Sequence, residues 1–151
     1  MNITVDVIKQ LRAKTGAGVA DCREALEEAK NDFKKAEGIL QKKGFEKAAK
    51  KGDRETTAGL IDSYVHLGRV ASLVEVLCET DFVARTDEFK TLAHEVAMQV
   101  ASMNPKDNKV LLDQEYIRDP SKKISDLVKE AIAKLGENIT LGRISRIEIG
   151  K

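Results

Sequence analysis

The stretch VASLVEVLC, residues 70–78, is apolar on both faces of the strand it would form. Val70, Val74 and Val76 alternate with Ala71, Leu73 and Leu77. Successive side chains of a strand point to opposite sides of its sheet, so this composition demands cover on both sides. Helices of the same chain or a second subunit must provide it. The preceding run, GLIDSYVH, is also rich in β-forming residues, and Leu67-Gly68-Arg69 between the two reads as a hairpin turn.

Helical patterns flank the hairpin. Upstream, Ile3, Val7, Ile8 and Leu11 follow helical spacing, and Gly16 reads as a stop. Val19, Cys22, Leu26 and Ala29 form a second stripe. Asn31 and Asp32 supply a stop and a new N-cap, and Phe33, Ala36, Ile39 and Leu40 form a third stripe ending before Gly44. Helices this short need one another, so residues 1–44 are expected to form a three-helix bundle. Residues 45–57 are mostly polar and read as a linker, helical in part at FEKAAKK. Downstream of the hairpin, Phe89, Leu92, Ala93, Val96, Ala97, Val100 and Ala101 make a long amphipathic stripe ended by Asn104-Pro105. A polar loop follows, with one turn around Val110–Leu112. Ile124, Leu127, Val128, Ala131, Ile132 and Leu135 repeat the helical pattern up to Gly136, and NITLGRISRIEIG returns to β-type residues. Residues 58–151 are therefore expected to be an α+β unit with a small antiparallel sheet.

Charge and chemistry narrow the function. The chain carries 26 Lys and Arg against 25 Asp and Glu. That balance lacks the basic excess of a general nucleic-acid binder, so no direct nucleic-acid contact is expected. No apolar run reaches membrane-spanning length and no secretory pattern opens the chain, so a cytoplasmic, membrane-free protein is expected. Cys22 and Cys78 read as buried reduced thiols, and neither has a second ligand at zinc spacing. TGAGVAD lacks the third glycine and the preceding strand of a dinucleotide loop. HEVAM has Met98 where a zinc helix needs its second His. Neither His66 nor His94 has an Asp-and-nucleophile set near it, so each reads as a structural histidine. Neither an enzyme nor a metal or cofactor site is expected; the chain reads as a binding protein.

Three segments, IKQLRAKTGAGVADCREAL, CETDFVAR and AIAKLGENITLGR, resemble in order and spacing the signatures of elongation factor Ts. The resemblance implies an N-terminal module of the ubiquitin-associated type and a partner, the nucleotide-binding domain of elongation factor Tu. It implies that Thr80, Asp81, Phe82 and Val83 contact that domain, with Phe82 wedged between partner helices so that bound magnesium is disturbed and GDP is loosened. Leu135, Gly136, Glu137 and Asn138 would make a neighbouring contact, and Arg12, Val19, Ala20 and Arg23 another. Many relatives carry Met where this chain has Val19 and Ala20, which makes that contact smaller here. Long members of the family continue into a second core half, and short ones pair two copies, so a homodimer through the core sheet is expected. Composition alone would send Phe82 to the core, since Phe is mostly buried. Phe89, however, already opens the next apolar stripe, and with the resemblance Phe82 is expected to face outward. The alternative from another class is an adaptor whose bundle binds a peptide or ubiquitin-like surface without nucleotide exchange.

Overall fold

A computed structural model describes residues 2–151. Three helices come first: α1 (Val5–Thr15), α2 (Val19–Glu28) and α3 (Phe33–Ala49). Local chemistry sets their ends. Thr4 accepts from the Val7 N–H and Asp32 from the Lys35 N–H, each satisfying a donor the helix cannot. Gly16 closes α1 in the left-handed region. The apolar stripes meet in one cluster, where Leu11, Cys22, Ala25, Leu26, Ala36 and Leu40 are buried. Val19 stays out of it and is more than half exposed, so the buried stripe of α2 starts at Cys22.

The third helix runs past the stop expected at Gly44 and ends at Ala49. Gly44 serves a neighbour instead. A Cβ built there would lie 3.1 Å from the Cβ of Ala133, a residue of α7 (Ile124–Leu135). The glycine marks a close helix–helix approach. Beyond it, Lys129 lies 5.6 Å from the Phe45 ring centroid, and Ala48 is buried in a second cluster that includes Val128 and Ile132 of α7. The N-terminal bundle thus rests on α7 through the far end of α3.

The sheet has the order β1-β2-β5, with β1 (Ala58–His66), β2 (Val70–Cys78) and β5 (Ile139–Glu148) all antiparallel. Leu67 and Gly68, both at positive φ, make the hairpin turn. The β2–β5 ladder slips once, between Val74 and Val76, a bulge that brings the Arg143 N–H onto Glu75. The 17-residue α5 (Asp87–Met103) lies across one face. Val74, Val76 and Cys78 are buried against its Phe89, Ala93, Val96, Ala97 and Val100. Ser72 in the same row donates to the Ala97 carbonyl at 2.6 Å. The opposite face, with Ile61, Val65, Leu73 and Ile147, is exposed. The two-sided strand is covered on one side by its own chain.

The segment expected as a polar loop holds α6 (Asn108–Asp113) and a small ribbon of β3 (Glu115–Tyr116) and β4 (Asp119–Lys123). Gln99, fully buried on α5, holds the ribbon: its Nε2 donates to the Glu115 carbonyl and its Oε1 accepts from the Ile117 N–H. The whole is α+β. Both cysteines are free and buried. His66 Nδ1 lies 3.0 Å from the Tyr64 hydroxyl, and His94 Nδ1 lies 3.2 Å from Asp62. Among the described residues no helix is long and apolar enough to cross a membrane.

Candidate functional site

Between β2 and α5 the chain makes one helical turn, α4 (Asp81–Ala84). Thr80, in extended backbone, is its N-cap, and the Thr80 Oγ1 accepts from the Val83 N–H at 3.4 Å. A second threonine restarts the chain as α5: Thr86 donates to the Val83 carbonyl at 2.7 Å and accepts from the Phe89 N–H at 3.2 Å. Two caps six residues apart leave the residues between them as a corner. One side of so short a turn must face the core, and Val83 and Ala84 take that side. Asp81 is therefore exposed, and Phe82 projects into solvent with 84% of its surface accessible. Its ring belongs to neither buried cluster.

The corner is held from the other end of the chain. Gly136 closes α7 at φ 77°, a conformation that costs other residues strain. Glu137 and Asn138 then run alongside residues 79 and 80, because Cys78 and Ile139 form the last rung of the β2–β5 ladder. Beyond that rung, side chains replace the backbone bonds. Glu137 accepts from the Thr80 N–H at 3.0 Å and from the Thr80 hydroxyl at 2.7 Å. In the reverse direction, Glu79 accepts from the Asn138 N–H at 2.8 Å. Asn138, only 3% exposed, donates through Nδ2 to the carbonyls of Arg54 at 2.7 Å and Gly52 at 3.4 Å. Beneath the corner, burial holds the Cys78 thiol above its ordinary pKa and the nearby Glu137 charge pushes the same way. The thiol therefore stays protonated and donates to the Thr80 carbonyl at 3.2 Å.

The structure thus brings Thr80, Asp81, Phe82 and Val83 together with Glu137 and Asn138, and gives them different directions. Asp81 and Phe82 face solvent, Val83 and Leu135 lean on the core, and Asn138 is buried. Gly136 is exposed and Glu137 partly so. Arg12, Val19, Ala20 and Arg23 are all exposed on the helical bundle, where the Arg23 Nε pairs with Glu27 at 2.9 Å. Two contributors were missed from the sequence: Glu79 and Arg54, whose guanidinium lies 3.5 Å from Glu79. The signal for Glu79 was its place just past a strand, within CETDFVAR. Among the described residues no group of three or more His, Cys, Asp or Glu side chains could hold a metal. An exposed ring beside an exposed carboxylate, on a braced corner, is equipment for binding.

The family model described as elongation factor TS matches residues 79–151, which contain the whole corner. A protein of Thermotoga neapolitana named elongation factor Ts is 42% identical, with all of this chain and 99% of that protein covered. The elongation factor Ts of Thermotoga maritima is 43% identical over all of this chain and 98% of its own length. That of Herpetosiphon aurantiacus is 41% identical, covering 99% of each. The Thermotoga alignments run over 195 positions while this chain has 151 residues, so those relatives carry internal residues without a counterpart here.

Proposed function

We propose a function from one premise: the chain belongs to the elongation factor Ts family, and so to the translation elongation factors. In this reading it is a guanine nucleotide exchange factor, and it makes and breaks no covalent bond. It binds elongation factor Tu with GDP bound, disturbs the magnesium and phosphate site and lets GDP leave. Thr80, Asp81, Phe82 and Val83 form the working corner, with Leu135 to Asn138 beside it. Arg12, Val19, Ala20 and Arg23 give the bundle of residues 1–44 its own contact with the same partner. Residues 45–57 join that bundle to the core of residues 58–151. The protein works in the cytoplasm without touching nucleic acid.

The observation that carries the reading is the exposed Phe82 ring on a corner bonded in place. A GTP-binding protein holds GDP largely through phosphate contacts to backbone amides, a lysine and Mg²⁺. A factor releases that nucleotide without touching it by binding best to the form whose phosphate site is distorted. Linkage then requires that each ligand weaken the other by the same factor. An aromatic side chain seated in an apolar slot supplies binding energy of the needed size, with truncation costs of about 2 kcal/mol or more. The test is release of fluorescent GDP from purified elongation factor Tu. Substoichiometric amounts of the chain are expected to speed it, and GDP is expected to weaken the protein complex by the factor by which the complex weakens GDP. An unchanged release rate overturns the reading.

The same reading includes a homodimer. The uncovered sheet face supports it, since Ile61, Val65, Leu73 and Ile147 lie exposed on one side of three adjacent strands, and contiguous apolar surface of this kind marks interaction sites. Glu75 and Arg143 on that face pair with each other at 3.2 Å within the chain. A second copy could cover it without stranding a charge.

A further inference from the structure

We propose that Glu137 is a positioning residue: it completes the cap of α4 from the far end of the chain and thereby fixes the direction of Phe82. This rests on the exchange reading and names the device that makes the corner rigid. In an ordinary capping box the N-cap hydroxyl accepts from the N3 amide, while an N3 Glu or Gln reaches back to the N-cap amide. Here the N-cap is Thr80 and N3 is Val83, which has no polar group to reach back with. Glu137 fills the missing half with one oxygen on the Thr80 N–H. Its other oxygen accepts from the Thr80 hydroxyl, which leaves a hydroxyl lone pair for the Val83 N–H. A single carboxylate thus fixes both the backbone and the rotamer of the cap.

The arrangement is reciprocal. As Glu137 grips residue 80, Glu79 grips the backbone of residue 138, and Asn138 in turn grips the carbonyls at 52 and 54. Bonds from the strand end, the α7 turn and the segment after α3 therefore meet at residues 79, 80 and 138, beside the wedge. A four-residue helix cannot hold its own shape in water. Without the latch, a partner docking on Phe82 would have to order the corner first, and that cost would fall on the step in which the corner presses into the partner.

The experiment compares wild type, Glu137→Ala and Glu137→Gln by two readouts. Hydrogen exchange of the amides at 80–85, measured on the free protein, reports the latch alone. Expected is faster exchange there in Glu137→Ala, a partial effect in Glu137→Gln, which keeps one acceptor, and unchanged protection in β1 and β2. The second readout is GDP release from elongation factor Tu against concentration. Expected is a fall of about tenfold in the maximal rate, and partial rescue in Glu137→Gln. Unchanged protection at 80–85 overturns the latch. Loss of protection throughout the sheet overturns it too, since Glu137 would then support the fold at large. Faster local exchange with wild-type release kinetics overturns the positioning role. Failure of the wild-type chain itself to release GDP overturns the exchange reading, and the amide protection still decides the latch.

Discussion

An exposed phenylalanine forgoes the roughly 1.5–3 kcal/mol that burying such a side chain would contribute. Phe82 forgoes it while Phe89, seven positions on, is fully buried at the start of α5. The sequence held this contrast, because the helical stripe was complete without Phe82. It did not hold the reason the ring stays outward. Glu137 lies 57 residues from Thr80, and no local pattern links them. Tyr116 is a second long-range case, and it makes a prediction about pH. Burial and the Glu95 carboxylate, which accepts from its hydroxyl, push its pKa from 10.0 to about 12. The fold prefers the neutral phenol, so this stabilisation is complete below about pH 10 and is lost as pH rises towards 12. Urea unfolding at about pH 8 and about pH 11 should show a loss in wild type that is smaller in Tyr116→Phe. Equal losses would remove this role for Tyr116.

At the scale of elements, glycine was the residue most easily misread. Gly16 and Gly136 end helices, as their places after apolar stripes imply, and both adopt positive φ. Gly44 looks the same in the sequence and lies inside α3, because its purpose is Ala133 on another helix. A neighbour 89 residues away leaves no trace in a period of three or four. Gly44→Val puts two further methyl groups into this contact and should destabilise the chain, by less than the clash alone because replacing a helical glycine returns some propensity. Ala133→Gly in the same chain should recover part of that loss, and a thermal melt of the pair decides it. No recovery would mean that the valine acts on α3 alone. The ribbon of β3 and β4 escaped the sequence for a different reason. Its strands are two and five residues long and mostly polar, and the residue that fixes them is Gln99, a buried polar side chain in an apolar stripe. The long stripes of α5 and α7 and the hairpin were legible because each obeys one period over many residues.

At the scale of the molecule, the strand VASLVEVLC asked for cover on two sides and receives it on one. The proposed second copy answers the other side. Leu73→Glu, on the open face opposite α5, should leave the fold intact and convert a dimer into a monomer in sedimentation. A wild-type chain that already sediments as a monomer would remove the dimer, though not the exchange role, which lives on the α4 corner. That corner is the meeting point of sheet, helix and linker, and Phe82 is its outermost ring. The most direct measurement is the rate of GDP release from elongation factor Tu with wild type and with Phe82→Ala, after circular dichroism has shown the same fold for both. Truncating a buried aromatic anchor should cost about 2 kcal/mol or more, a fall of roughly thirtyfold. A variant that releases GDP as fast as wild type would contradict the wedge.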